Sequence, residues 1–212
     1  MKYSAHSPAA ALSAGTSAHL AAALVVALAA LGSAPSGHAA DAAAPAHYVL
    51  DPAKSSLEFT FVQAGAQNKG RFKRFQVTLD FSPDNLAASR LDVLVEMTSV
   101  DTGDQERDDT VRGADLFNVA KFPQAHFAAT QITRTAAGFE AVGKLTIRGV
   151  TRDERVPFSF RTATENGAPA GYMTGKTSLH RLDYGVGQGD WKATDQVGND
   201  VGVSFALRLT AH

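Results

Sequence analysis

The stretch Phe75-QVTLD-Phe81 decides the fold. Its apolar side chains, Phe75, Val77, Leu79 and Phe81, alternate with Gln76, Thr78 and Asp80. Period two puts successive side chains on opposite faces of a strand, one apolar and one wet. The same rhythm spreads outward. Upstream, Leu57, Phe59 and Phe61 alternate with Glu58, Thr60 and Val62. Downstream come Leu91, Val93, Val95 and Met97, then Phe139, Ala141, Gly143, Leu145 and Ile147, then Val156, Phe158 and Phe160. At the C-terminus Val201, Val203, Phe205, Leu207 and Leu209 repeat it once more.

Turn residues separate these runs at Ser82–Asn85, Ala136–Gly138, Glu165–Gly171 and Gly198–Asp200. No regular strand–helix alternation exists to build a parallel sheet, so short turns predict antiparallel neighbours. The charged stretch Asp104–Phe117 breaks the rhythm and predicts a short surface helix. The count comes to about eight strands, enough to close a barrel and leave no exposed edge. Periodicity alone leaves a two-sheet sandwich open. Long strands, and inward aromatics mixed with Ala141 and Gly143, favour a barrel with an elongated apolar lumen.

The first part of the chain is of another kind. Between Met1 and Ala46 it is mostly Ala, Ser, Gly and Pro, with Lys2 its single formally positive side chain. The apolar run Leu20–Gly32 has the length of a signal-peptide core and is short for a bilayer span. Small residues follow: Gly37 with Ala39 predicts cleavage after 39, Ala40 with Ala42 cleavage after 42. The expected division is a signal peptide over 1–39 and one domain over 40–212, exported to the periplasm. Cysteine is absent, so no disulfide props up the core and one continuous apolar interior must do so. With 20 basic against 21 acidic residues, the chain lacks the concentrated positive surface that nucleic acid demands.

Catalytic signals are weak. No two of His47, His126, His180 and His212 sit at metal-ligand spacing, and no metal site is expected. Gly185-VGQ-Gly189 lacks the GxGxxG spacing of a dinucleotide loop and reads as a turn after a strand ending at Leu182–Tyr184. There is no GxSxG elbow, and the serines read as turn or outward strand residues. Asp101, Asp104, Glu106, Asp108 and Asp109 lack the ordered spacing of a calcium loop and read as a solvated helix start. Arg181 and Asp183 share a strand face and are expected to pair. Gln63 continues the inward parity of Phe59 and Phe61, so its amide needs a partner, structural or ligand. Trp191 either caps the barrel mouth or covers a loop.

Several motifs occur in order: Tyr48-VLDPAKSSLEFTFVQA-Gly65, Gly70-RFKRFQVTLDFS-Pro83, Ser99-VD-Thr102, Arg107-DDTVRGADLFNVAKFPQAH-Phe127, Val142-GKLTIRGVT-Arg152 and Arg181-LDYGVGQGD-Trp191. Together they resemble the YceI-like family of polyisoprenoid-binding periplasmic proteins over about Tyr48–Ala211. The resemblance implies an all-β fold: an extended, antiparallel, eight-stranded, lipocalin-like barrel whose lumen holds a long isoprenoid, in some members a polyprenyl quinone. Many members carry His where Gln63 stands. This chain is similar to a subgroup with Gln followed by Gly-x-x-x-x-Gly-x-Phe, here Gly65 through Phe72.

The expected function is therefore a non-enzymatic periplasmic binder or carrier of isoprenoid lipids. The expected contacts are Phe59, Phe61, Gln63, Val93, Val95, Leu145, Ile147, Phe158, Phe160, Tyr184 and Trp191. Further expectations are no covalent cofactor, transient contact with a membrane or membrane electron-transfer protein, and a homodimer. An enzyme acting on a lipid or small periplasmic substrate, or a structural stress-response adaptor with a solid core, are the alternatives. A continuous cavity favours the carrier and a filled interior the adaptor.

Overall fold

The computed structural model describes residues 44–165 and 167–212. The expected signal peptide and its cleavage points lie outside them. Strand-forming runs in this sequence are separated by turns, and the chain accordingly meanders, each stave of the barrel pairing antiparallel with the next. The strands are β1 (Ala46–Leu50), β2 (Ser56–Gln63), β3 (Ala66–Phe72), β4 (Phe75–Phe81), β5 (Arg90–Glu96) and β6 (Val100–Asp101). After helix α1 (Gln105–Arg112) come β7 (Gln124–Thr135), β8 (Gly138–Ile147), β9 (Val150–Glu165), β10 (Ala168–His180) and β11 (Val197–Ala211).

Three staves of the barrel are broken in two, which is why eleven segments make eight staves. β1 and β2 form one line interrupted at Pro52–Lys54, where proline has no N–H to give a ladder and Asp51 caps a 3-10 turn by accepting from Ala53 N–H. β3 continues into β4 past Lys73 and Arg74, and β5 into β6 past the 3-10 turn Met97–Ser99. β11 closes the ring on the first stave, pairing Tyr48 with Ala211 and Thr60 with Gly202. The result is the closed antiparallel barrel, with α1 its single α-helix among the described residues.

The inward parity read from the sequence holds on β4, where Val77, Leu79 and Phe81 are buried, and on β11, where Leu207 and Leu209 are. One end of the barrel is solid. Phe81 packs edge-on against Phe139, Phe158 and Phe160 with ring centroids 4.9, 6.0 and 4.8 Å apart, and Tyr48 lies 5.3 Å from Phe160. Such edge-to-face contacts are favoured by the ring quadrupoles, each by about 0.5–1.5 kcal/mol beyond burial. Tyr48, Leu50, Ile132 and Leu209 fill the space around them.

Three local readings are corrected. β10 stops at His180, and Arg181–Tyr184 is a 3-10 turn rather than a strand end. Arg181 and Asp183 therefore do not share a strand face. Gly198–Asp200 is no turn: it lies inside β11, whose register with β2 shifts between Val197 and Val201. Ser82, Ser89 and Ser99 sit at turns, as their positions suggest, and are buried there. Ser89 Oγ accepts from Ser82 N–H and Ser99 Oγ from Arg74 N–H, so both hydroxyls serve backbone at strand ends.

The acidic stretch is spent on structure. Asp104 caps α1 by accepting from Arg107 N–H. Asp108 is buried and accepts from Thr102 N–H at 2.8 Å and Thr102 Oγ at 2.7 Å, tying the helix to the end of β6. Arg112 donates to the carbonyls of Thr98 and Val100. Asp101 holds Arg71 and Lys73, and Asp109 holds Arg112.

Candidate functional site

The other end of the barrel is hollow. A cavity of about 700 Å³ opens there, within the span of roughly 300–1,000 Å³ usual for small-molecule sites. Its wall is built from the inward parity of the staves: Leu57, Phe59 and Phe61 of β2, Val93 and Val95 of β5, Leu145 and Ile147 of β8, Thr177 and Leu179 of β10, Val201, Val203 and Phe205 of β11. Polar side chains gather at the mouth, where Gln63, Asn68, Asp104, Glu106, Arg107 and Thr110 border the opening. Arg107 Nη1 donates to Asn68 Oδ1 at 3.3 Å across it. The bottom, by contrast, is wholly apolar: Val77, Leu91, Phe127, Met173 and Leu207 end the cavity and belong to the solid core beneath it or pack against it.

Nine of the sequence candidates border this cavity: Phe59, Phe61, Gln63, Val93, Val95, Leu145, Ile147, Tyr184 and Trp191. Phe158 and Phe160 do not. Their parity is inward, but they lie in the solid end, in the aromatic layer around Phe81. Parity tells a strand's inner face from its outer one and says nothing of height along the barrel. Phe59 stacks on Phe61 and packs against Phe72, its ring seated over Gly70 so closely that a Cβ there would lie 2.4 Å from Cζ.

The mouth is shaped by one buried cation. Arg181 is 6% exposed, and all five of its N–H groups donate to backbone carbonyls of the segment that follows. Nε reaches Gly198 O at 3.0 Å, Nη1 reaches Val186 O and Trp191 O at 2.9 and 2.6 Å, and Nη2 reaches Ala193 O and Val197 O at 3.2 and 2.7 Å. Burial pushes the guanidinium down from its ordinary value, with no carboxylate among the described residues paired to it to offset the effect. The carbonyl cage fixes the loop from Val186 to Val197 over one side of the cavity, with Trp191 on its rim. Asp183, the expected partner, faces His180 instead at 3.5 Å.

Tyr184 is buried beside Leu116, Val186 and Trp191 in a second apolar cluster. Its hydroxyl donates to Glu154 Oε1. Burial, then that bond, pushes the phenol up, which favours the neutral form that donates to Glu154. His126 points to Asp92 on the outer face. Among the described residues no three His, Cys, Asp or Glu side chains converge as a metal would require.

A family model described as the YceI-like domain matches residues 48–209. The chain belongs to the YceI-like domain family. A UPF0312 protein of Yersinia pestis (strain Pestoides F) is 38% identical over 106 residues, half of this YceI-like chain and 55% of its own length. The chain thus spans about half the length of the curated relatives it matches. Among solved structures, BcnA of Burkholderia cenocepacia is similar with a TM-score of 0.68 and 32% identity, covering 75% of this chain and 98% of that one. A polyisoprenoid binding domain from Saccharophagus degradans shares the fold at 18% identity, with a TM-score of 0.57 over 79% of this chain and 99% of that one.

Sequence reasoning passed over Phe72, Val111, Phe117 and Leu179, which also border the cavity. Leu179 was hidden because β10 reads Met173, Gly175, Thr177, Leu179 inward, too mixed to show alternation. Val111 and Phe117 come from α1 and the segment after it, where a period of two has no meaning.

Proposed function

We propose that this YceI-like protein is a periplasmic binder or carrier of long isoprenoid lipids such as polyprenyl quinones. The tail enters the lumen and the headgroup stays at the polar mouth. One observation carries the reading: the cavity is apolar along its walls and bottom and polar at one end, the amphiphilic profile of a prenyl lipid. Each CH₂ moved from water into such a lumen contributes about 0.8 kcal/mol, so a tail binds well without polar recognition. The fold shared with a polyisoprenoid binding domain supports the same assignment. A hollow half speaks against a purely structural adaptor. Release and loading of such a guest imply transient contact with a membrane or a membrane electron-transfer protein.

The test uses Trp191, the chain's single tryptophan, as a reporter on the rim. Titration with a short polyprenyl quinone is expected to quench it saturably. The double variant Phe61→Asp/Ile147→Asp puts two carboxylates into the wall and is expected to abolish the response while far-ultraviolet dichroism stays that of a barrel. Unchanged affinity in the folded variant would overturn the assignment. If that variant fails to fold, Val95→Asp alone serves as the wall charge, judged by the same criterion.

A further inference from the structure

Backbone ladders lace the barrel wall, and in the hollow half two neighbouring staves part. β9 and β10 pair as far as Phe158 opposite Gly175, and beyond that point no pairing joins them among the described residues. β5 and β7 pair as far as Glu96 opposite Gln124, with a last bond from Met97 N–H to Pro123 O at 2.9 Å. The β6 segment that follows pairs with β3 and, among the described residues, with no other strand. An open edge carries polar backbone groups that need other partners. The first gap is bridged by the turn Arg181–Tyr184, through Tyr184 Oη to Glu154 and Arg152 Nε to Asp183 O. The Arg181 cage fixes that turn. The second gap is closed by α1, and by side chains. Arg112 Nε and Nη2 donate to Thr98 O and Val100 O at 3.1 and 2.8 Å. Asp108 holds Thr102, and Arg107 reaches Asn68 of β3.

We infer that α1 is a gate in the barrel wall, which swings outward about its C-terminal end and admits the guest from the side, between β6 and β7. The inference rests on the isoprenoid-binding reading above. Of the eight residues Gln105–Arg112, Val111 is the single apolar one, so lifting the helix uncovers little apolar surface. Gly103, just before α1, stands at φ +76° with nothing within 4 Å of where a Cβ would lie, and serves as the flexing joint. The other end stays tied, because Val111 O and Arg112 O accept from Phe117 and Val119 N–H. Moving another part of the wall in the hollow half breaks a backbone ladder or the Arg181 cage. Moving α1 breaks side-chain bonds and no ladder, the kind of local opening that costs least. The helix also supplies Asp104, Arg107 and Thr110 to the rim. The same swing therefore parts the Arg107–Asn68 bond and widens the mouth, so a branched prenyl tail enters broadside.

The chain has no cysteine, so Thr102→Cys/Asp108→Cys introduces a single thiol pair across the joint, at side chains that already meet at 2.7 Å. Oxidised, the pair latches α1 to the end of β6; reduced, it leaves that latch undone. Stopped-flow quenching of Trp191 by a short polyprenyl quinone gives the uptake rate on the full chain, and dilution of the complex gives the release rate. The oxidised form is expected to be slower than the reduced form by about tenfold in both directions, with Kd within about twofold. Arg112→Met frees two charge-assisted bonds and should speed both rates by about tenfold, again at constant Kd. Neither Asp108 nor Arg112 borders the cavity, so a merely structural role would lower Tm without moving the two rates in step. Equal rates in the two redox forms, unchanged rates in Arg112→Met, or a change in Kd carried by release alone would overturn the gate while leaving isoprenoid binding intact. If the thiol variant fails to fold or to close its disulfide, Arg112→Met decides by the same criterion. Absence of any quenching in the unsubstituted chain would overturn the binding reading itself, and the gate with it.

Discussion

Replacing Arg181 with Met removes the cage that holds the mouth together while keeping most of the side-chain volume. The magnitude follows from the five hydrogen bonds it donates, to the carbonyls of Gly198, Val186, Trp191, Ala193 and Val197. Hydrogen bonds to a charged group contribute about 1.5–3 kcal/mol each, so their gross sum is on the order of 10 kcal/mol. Burying the guanidinium with no counter-ion opposes that sum, and the carbonyls released by a freed loop regain water. A net loss of about 3–4 kcal/mol remains. For a domain of this size, at about 2–4 °C per kcal/mol, Tm should fall by about 10 °C. Arg181→Lys keeps the charge but has three donors on one nitrogen, and should lose about half as much. Urea titration followed by dichroism gives the stability, and Trp191 emission reads the loop separately. The Met variant should shift that emission to the red before global unfolding begins. A variant with stability unchanged within about 0.5 kcal/mol and native Trp191 emission would refute the reasoning, because it would mean the carbonyls find equal partners without the cation.

Other outcomes follow from single contacts. Gly149 sits at φ +77° in the turn between β8 and β9, and a Cβ there would lie 2.7 Å from the Phe122 ring; Gly149→Ala should cost about 2 kcal/mol or more in urea titration. Gly70→Val should push the Phe59 ring into the lumen and weaken tail uptake in the Trp191 titration, with a smaller effect on stability. In acid, Glu96 is held at about 2 by its hydrogen bonds from Arg74 and Thr98, and Asp101 at about 2 by Lys73 and Arg71. Both folded values lie below the ordinary carboxylate range, so these pairs stabilise above it and lose their contribution as pH falls from about 4.5 toward 2. Glu96→Gln should flatten that part of the stability profile, and added salt should flatten it further. Arg107→Ala at the mouth should leave affinity for an uncharged prenol within about threefold, since the tail supplies most of the binding.

The barrel was legible because closure demands one apolar face per strand, and Phe75–Phe81 or Val201–Leu209 can satisfy that demand only by alternating. The family motifs then removed the sandwich. Height along the axis was not legible. Phe61 and Phe158 have the same parity, yet one borders the cavity and the other lies in the solid end, a distinction set by stagger between distant strands. Arg181 was misread for a related reason. Spacing suggested a carboxylate two residues on, whereas its partners are carbonyls up to 17 residues away that carry no signature in side-chain chemistry. The breaks at Pro52–Lys54 and Met97–Ser99 likewise follow from backbone accounting, and only the first is marked by a proline.

The most direct measurement is native mass spectrometry of the protein purified without detergent from its own cell envelope, followed by extraction and identification of whatever is bound. An isoprenoid adduct at about one per chain, gone in Phe61→Asp/Ile147→Asp, is the predicted result. A chain that emerges bare, and takes up no prenol or prenyl quinone when these are supplied, would contradict it.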